Sequence, residues 1–289
     1  MLPGAAPVAL PKCKTLALKR QGGTLHVTLN QPESRNALSQ RMIGELESAF
    51  GVVEADRAIR TVVLRGAGGN FCAGGDLRQF QAAGADTPPK SIADSPHYKG
   101  ALQLAQLMRA INAAPAVVIG AFEGGTLGAG FGFLCVVDIA IASDDAVFGI
   151  TGNMYGVPPG PIVPHIVERL GLPLARRMAL SGVKLGARDA FALGLVHHLA
   201  ADAASLGTRV AQIVADVHRC APNANRITKD LLLQNAKVTP DQMAEMGANA
   251  FARALHGTEV NEGTAAFFEK RPPRWAAGPD DDGENNNKK

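Results

Sequence analysis

Strand-like and helix-like segments alternate along the first two thirds of this sequence, and that alternation restricts the fold more than any other feature. Thr24–Asn30 alternates apolar and polar residues as a half-buried strand does, and Thr61–Arg65 is a β-branched run that stops at a glycine. Between them, Ser39–Asp56 has helical spacing behind a serine N-cap. Strands that alternate with helices predict βαβ units and a mainly parallel sheet, so the fold class is α/β.

The alternation runs through one more cycle and then gives way to helices. Helices are predicted at Gly100–Ala113 and Gly128–Val137, and buried strands at Ala116–Ala121 and Ile139–Ala142. Further helices, with one short strand near Leu195–Leu199, are predicted at Pro161–Leu170, Pro173–Ser181, Ala187–Leu193, Ala203–Cys220, Ala224–Ala236, Asp241–Ala254 and Glu259–Lys270. We therefore predict a core domain over residues 13–200 and a helical region over 201–275, between a disordered lead over 1–12 and a disordered tail over 276–289.

Charge and cysteine usage narrow the range of partners. The 289 residues carry a formal net charge of +3, without a basic run longer than a pair, which argues against nucleic acid as a partner. Glu123 and Asp138 interrupt the apolar runs well short of the ~20 residues of a membrane span. The four cysteines lack metal-ligand spacing, and Cys72 and Cys135 lie in apolar runs, so we expect reduced, buried thiols and no metal. We expect a cytoplasmic protein.

Two glycine-rich turns each follow a predicted strand and lead into a predicted helix. They span Gly66–Asp76 and Glu123–Gly130. Such turns expose backbone N–H groups, and a helix N-terminus adds partial positive charge, so two facing turns can hold an oxyanion. The alternative is that these glycines only allow tight turns and close packing. The sequence has no Walker phosphate-binding loop, and Gly125–Gly130 does not fit the Rossmann fingerprint.

Four motifs occur in the order typical of one superfamily. They are NQPESRNAL at Asn30–Leu38, FCAGGDL at Phe71–Leu77, EGGTLGAGFGFLCVVDIAIA at Glu123–Ala142 and FFEKRPPRW at Phe267–Trp275. Together they resemble the crotonase, or enoyl-CoA hydratase/isomerase, superfamily over about residues 13–275. The resemblance implies a crotonase-like ββα superhelix core with a helical C-terminal trimerisation region, assembled as a homotrimer or a dimer of trimers.

The resemblance also implies a site for a thioester of coenzyme A or of an acyl carrier protein. Two backbone N–H groups, placed by the motifs at Ala73 and Ala129, would receive the thioester carbonyl. The cradle and coenzyme A contacts implied by the motifs are Arg35, Ala73, Gly74, Gly75, Asp76 and Lys270, the last reaching the ligand of a neighbouring subunit. Alternatively, Arg35 and Lys270 are ordinary solvated charges on the surface. The alternative for Asp76 is that it caps the helix that follows it. Coenzyme A enters as part of the substrate, and no permanently bound cofactor is implied.

Two positions depart from the hydratases of the superfamily, which use a pair of glutamates as acid and base around a water. Here Gly132 and Gly152 stand at those positions, 20 residues apart as in the family. Adding water to an unsaturated thioester needs a group that deprotonates water and a proton donor, so ordinary two-glutamate hydration is disfavoured. Glycine in place of glutamate is also expected to leave volume for a bulkier acyl group or for a polar side chain from elsewhere.

A few polar side chains could replace the missing carboxylates. Asn153 and Tyr155 follow the second position directly and could orient water or a carboxylate; capping and packing are their alternative roles. Gln79–Tyr98, rich in proline and small polar residues, is predicted as a mobile surface loop and a candidate lid. His97 and Tyr98 could swing from it over the acyl group, or simply be exposed loop residues.

The function predicted from these motifs is that of an acyl-CoA thioester lyase or isomerase that works through an enolate held in a backbone oxyanion hole. One alternative is a malonyl-type acyl-thioester decarboxylase, in which loss of CO2 generates the enolate without a base. The segment Ile162–Leu170 also resembles hydratases of branched glutaconyl-CoA substrates. A third possibility, from another class, is a non-catalytic scaffold that binds coenzyme A or associates with RNA.

Overall fold

A six-stranded sheet forms the centre of the fold in the computed structural model, which describes residues 8–85 and 89–276. The strands are β1 Leu16–Gln21, β2 Thr24–Leu29, β3 Thr61–Gly66, β4 Val117–Phe122, β5 Gly125–Leu127, β6 Ile139–Ser143, β7 Val147–Gly149, β8 Lys184–Gly186 and β9 His198–Ala200. The helices are α1 Gln40–Ala55, α2 Leu77–Ala85, α3 Pro96–Asn112, α4 Ala129–Val136, α5 Val163–Ser181, α6 Ala187–Ala192, α7 Ala203–Arg219, α8 Pro222–Gln234, α9 Pro240–Leu255 and α10 Thr258–Phe268.

The central sheet is mainly parallel, as the alternation of strands and helices predicts. Its order is β1-β2-β3-β4-β6-β9, and every pair from β2 to β9 is parallel. In a smaller sheet, β5-β7-β8, strands β5 and β7 directly follow β4 and β6, whereas β8 follows α5. Because parallel strands end at one edge of a sheet, the turns that follow β3 and β4 lie side by side.

The first strand is absent from the sequence-based prediction. β1 pairs antiparallel with β2 through the two-residue turn at Gly22 and Gly23, in which Gly22 takes a left-handed conformation with φ 55°. A Gly-Gly pair between two short runs is a hairpin signal, so the sequence contained the information. By contrast, the two helices predicted across 161–181 are confirmed within α5, where the non-helical Gly171 (φ 66°, ψ 157°) separates two helical segments.

Helices cover both faces of the sheet. The larger apolar core packs α1, α3, α4 and α5 against one face and includes the aromatic cluster of Phe71, Phe122, Phe133 and Phe148. On the other face, α7 contributes the apolar side chains Leu206, Val210, Ile213 and Val217, which pack on Val63, Ile119 and Ile141. α7 therefore packs with the sheet, and the helices that stand apart from it begin at α8.

Helices α8 and α9 contain no buried side chain, and α8 is joined to the body by polar contacts. The Lys229 ammonium of α8 lies 2.7 Å from the Asp138 carboxylate and also donates to the Ala116 carbonyl. At the C-terminal end, the Arg60 guanidinium donates to the carbonyl oxygens of Trp275 and Cys220. These contacts fix the helical region to the edge of the body while leaving its apolar residues exposed.

The prediction of a loop over residues 79–98 is wrong at both ends. Helix α2 continues to Ala85, and α3 already begins at Pro96. The hydroxyl of Ser95 accepts the N–H of His97, and proline suits the first helical position because it has no N–H to satisfy. Residues 86–88 lie outside the described ranges.

Most of the predicted lead and tail also lies outside the described ranges, at residues 1–7 and 277–289. From Val8 onward the chain is described, and the Val8 N–H donates to the Asp56 carboxylate.

All four cysteines are free thiols; Cys72 and Cys135 are buried as expected, and burial raises the pKa of each to about 12. Within the described residues, we find no helix both long and apolar enough to span a membrane.

Candidate active site

The two glycine-rich turns are hydrogen-bonded to each other along their length. The N–H of Cys72 donates to the Gly125 carbonyl at 2.9 Å, and the Cys72 carbonyl accepts the N–H of Leu127 at 2.9 Å. The side-chain oxygen of Asn70 accepts the Gly125 N–H at 3.0 Å. The turns after β3 and β4 therefore form one rigid unit, and the N–H groups that they leave free are held in fixed positions.

The prediction of Ala73 as a carbonyl-binding donor is wrong, because its N–H already donates to the Arg35 carbonyl at 2.9 Å. Two residues further on, the N–H of Gly75 has no acceptor among the described residues. Ala129, the other predicted donor, is the first residue of α4, so its N–H lies at the helix N-terminus and is likewise unused there. Gly75 in the first turn and Ala129 directly after the second thus each keep an N–H without an acceptor among the described residues.

Gly74 lies where the two turns approach most closely. It adopts a left-handed conformation with φ 94°, and a Cβ there would lie 2.8 Å from the Leu127 carbonyl oxygen and 3.4 Å from the Ala129 nitrogen. Only glycine combines that conformation with that close approach. The ring of Phe80 from α2 occupies the space beside Gly75, with one ring carbon 3.0 Å from the Cβ position. The donor turn is therefore covered by an aromatic side chain.

The expectation of extra volume beside Gly132 is wrong. A Cβ on Gly132 would lie 2.7 Å from Cγ2 of Ile162 and 3.3 Å from Sδ of Met108, both buried side chains. These apolar groups already fill the space that a longer side chain would enter. No ionisable side chain is among the nearest neighbours of this position.

The position of Gly152 is closed in a different way. A Cβ there would meet the carbonyl oxygen of Val157, at a separation that real Cβ atoms do not show. That carbonyl is held in place because the Val157 N–H donates to the Gly152 carbonyl at 3.0 Å. Neither Gly132 nor Gly152, at the two positions where the resemblance predicts the hydratase glutamates, is therefore next to an open cavity.

The polar residues that follow Gly152 do not hydrogen-bond to the donor turns within the described residues. The side-chain amide of Asn153 donates to the Ala179 carbonyl in α5 at 2.8 Å. Tyr155 ends the same 3-10 turn and is 56% exposed. His97 and Tyr98 lie in the first turn of α3 and are also exposed. Their roles in replacing the glutamates stay predictions.

The residues expected to contact coenzyme A lie at the rim of the turns or at the end of the helical region. Arg35 is exposed and has a left-handed conformation with φ 52°, and its carbonyl accepts the N–H of the turn residue Ala73. Lys270 is exposed after α10, with φ 55°. The Asp76 carboxylate accepts the N–H of Arg78 at the start of α2, so the capping alternative for this residue is confirmed.

Two asparagines organise the site without having been singled out in the sequence. Asn36 is fully buried, accepts the Gln31 N–H, and donates to the carbonyl oxygens of Ala67 and Asn70. Asn70 in turn accepts the Gly125 N–H. The signal was present in the motif that begins at Asn30, because a buried asparagine between two loops can satisfy backbone groups that no strand reaches. Within the described residues no cluster of three metal-ligating side chains occurs.

Comparison with known proteins agrees with this geometry. The chain matches the family described as enoyl-CoA hydratase/isomerase over residues 19–278. It is 42% identical to an enoyl-CoA hydratase/isomerase from Marinobacter aquaeolei, with a TM-score of 0.87 over 92% of this chain and 100% of that one. It is also 42% identical to AtuE of Pseudomonas aeruginosa, with a TM-score of 0.85 over 91% of this chain and 100% of that one.

A more distant relative is the mevalonyl-coenzyme A hydratase sidH of Aspergillus fumigatus, which is 30% identical over 87% of this chain and 90% of that protein. The parallel sheet, the paired glycine-rich turns and the helical C-terminal region define a crotonase-like α/β protein. The chain belongs to the enoyl-CoA hydratase/isomerase family, an enzyme family that acts on acyl-CoA thioesters.

Proposed function

We propose that this protein binds a coenzyme A thioester and stabilises its enolate with the backbone N–H groups of Gly75 and Ala129. The observation that carries the proposal is that two turns, locked together by hydrogen bonds, leave these two donors without an internal acceptor. Negative charge that develops on the thioester oxygen is stabilised by donors already in position, each contributing about 3 kcal/mol. The family indicates the substrate class, an acyl-CoA thioester. The two donors indicate the type of reaction, one that passes through an enolate.

The cations at the rim support coenzyme A as the carrier. Arg35 and Lys270 are exposed, and the phosphates of coenzyme A are the kind of anion that such side chains bind. Lys270 follows the aromatic pair Phe267 and Phe268, which are 78% and 80% exposed in a single chain. Because large exposed aromatic rings favour burial in an interface, we propose that Lys270 reaches the ligand of a neighbouring subunit in a homotrimer or a dimer of trimers.

Ordinary hydration is disfavoured by the surroundings of the two glycines. A general base and a general acid are needed to add water, and neither Gly132 nor Gly152 supplies one. The space beside Gly132 is filled by Ile162 and Met108, so a carboxylate from elsewhere would not fit there without displacing them. We propose that the enolate forms without a carboxylate at either position, either in a lyase reaction that breaks a carbon–carbon bond or in an isomerisation whose proton is taken by a base from another part of the chain.

Decarboxylation is the second candidate, favoured by the apolar side chains of Ile162 and Met108 beside α4. In a malonyl-type thioester, the bond between the α-carbon and the carboxylate breaks, and its electron pair forms the enolate as CO2 leaves. A proton from water then adds to the α-carbon. An apolar neighbourhood destabilises a localised carboxylate more than a delocalised enolate, so it favours the loss of CO2.

The test combines a substrate panel with a variant that removes one donor. The protein is incubated with crotonyl-, methylmalonyl- and glutaconyl-CoA, and the products are followed by mass. Ala129→Pro deletes the donor N–H at the first position of α4, where proline is well tolerated. We expect its kcat/KM to fall at least about 100-fold. Ala203→Pro makes the same change at the first position of α7 and should leave activity unchanged.

Two results would overturn the proposal. Full activity in Ala129→Pro would exclude its N–H as an oxyanion donor. Conversion of crotonyl-CoA to the 3-hydroxy product at about 10 per second, a typical enzyme rate, would show that hydration needs no glutamate here. If the protein neither binds any of the thioesters nor converts one to a product, the proposed enzymatic function is wrong.

A further inference from the structure

The side chain of Ile162 reaches the face of α4 that carries the donor Ala129. Gly132 lies three residues after Ala129, so the two share one face of the helix. Because Cα–Cβ bonds in a helix tilt toward its N-terminus, the Cβ position of Gly132 lies toward the donor, about 5 Å away along the axis. Cγ2 of Ile162 is 2.7 Å from that position.

The chain around Ile162 is stiff. Prolines occupy positions 158, 159, 161 and 164, and Ile162 ends a short 3-10 turn just before α5. Each proline fixes its own φ and restricts the residue before it. Ile162 is 2% exposed, and Met108 from α3 packs against the same point with no exposure. The side chain is therefore held from two sides and cannot turn away at low cost.

We propose that Ile162 is a specificity-determining residue, which closes the acyl-binding part of the site one helical turn beyond the thioester. This inference rests on the function proposed above, because it takes Ala129 to bind the thioester oxygen. Carbons of the acyl group that extend along α4 meet Ile162 directly and Met108 behind it. The wall is apolar and fixed, so it admits a short acyl group and excludes a longer or branched one.

Sequence alone would give the opposite expectation. A glycine in place of a longer side chain indicates a wider pocket, whereas here a bulky residue from another segment takes the space. The protein therefore keeps the pocket narrow while replacing a carboxylate by a hydrocarbon. A missing methylene in such a pocket changes selectivity by about 10- to 200-fold, so a three-carbon change at Ile162 should be easily measured.

The experiment measures the Kd values of acetyl-, butyryl- and hexanoyl-CoA by calorimetry for the wild type and for Ile162→Ala. In the wild type, we expect acetyl-CoA to bind at least as tightly as hexanoyl-CoA. In Ile162→Ala, the ratio of the two Kd values should shift toward hexanoyl-CoA by about tenfold or more. Val163→Ala removes an exposed neighbour and is the matched control, for which no shift is expected.

A second variant keeps the test decisive if Ile162→Ala does not fold, as judged by circular dichroism. Met108→Ala removes the other group against Gly132, and its shift should go in the same direction. If the wild type binds acetyl-CoA but neither variant changes the ratio, the specificity role is overturned while the thioester site stands. If the wild type binds no thioester, the proposed function falls and this inference with it.

Discussion

The surroundings of Gly132 and Gly152 differ in what fills the space beside the glycine. Beside Gly132 it is the methyl group of a side chain, that of Ile162, packed against Met108. Beside Gly152 it is the main-chain carbonyl of Val157, fixed by a hydrogen bond from the same residue back to Gly152. A side chain can be shortened by mutation and a carbonyl cannot. The first position is thus open to change, and the second is fixed by the course of the chain.

This difference bears on how carboxylates could be introduced at the two positions. Glutamate at Gly132 needs smaller residues at positions 162 and 108, because both obstructions are side chains. Glutamate at Gly152 needs a different path of the turn that runs through Asn153 and Val157. A carboxylate is therefore harder to introduce at Gly152 than at Gly132.

The largest effect is expected for Gly152→Ala. Its new methyl group meets the Val157 carbonyl oxygen, which cannot move without breaking the turn, so the free energy of unfolding should fall by about 3 kcal/mol. Urea denaturation at constant m-value measures the change. Gly160→Ala is the control, because nothing lies within 4 Å of its Cβ position. Equal stability of the two variants would contradict the steric account.

A smaller loss is expected for Gly132→Ala, of about 1.5 kcal/mol in the free energy of unfolding. The added methyl group overpacks against Ile162, while alanine in a helix recovers about 1 kcal/mol of propensity. Gly44→Ala in α1 has open space at its Cβ position and should gain that propensity alone. A gain in both variants would show that Ile162 yields freely.

The smallest effect, and the most direct test of the comparison, is a coupling energy. In the double variant Gly132→Ala with Ile162→Ala, the clash disappears, so the loss should be about 1 kcal/mol less than the sum of the single losses. In Gly152→Ala with Val157→Ala, the carbonyl remains, and the losses should add within about 0.5 kcal/mol. Thermal or urea unfolding of both cycles measures this. If Val157→Ala restored the stability lost in Gly152→Ala, the two positions would not differ in the way described.

The order of strands and helices followed from the sequence because period and turn residues are local signals. The parallel sheet, α1 behind Ser39 and the strands before the glycine-rich turns are confirmed. The start of α3 was missed because Ser95 and Pro96, which begin it, also suit a loop. The division of α5 into two helical segments at Gly171 was predicted correctly, because glycine and the following Pro173 are local helix breakers.

The site was only partly predictable. The motifs identified the two turns, but not which N–H groups they leave free. Ala73 and Gly75 lie two residues apart in one glycine-rich turn, and only the hydrogen bond from Ala73 to Arg35 separates a used donor from a free one. That bond joins residues 38 positions apart in the chain, so no local pattern contains it.

By itself, the sequence determined the family, the parallel α/β core and the absence of carboxylates at Gly132 and Gly152. Local spacing and motif order carry that information. Only the tertiary structure decided that Gly75 rather than Ala73 keeps a free N–H, and that Ile162 and the Val157 carbonyl close the space beside the two glycines. The physical reason is that volume and hydrogen-bond partners are supplied by residues distant in the chain, which meet only once the protein has folded.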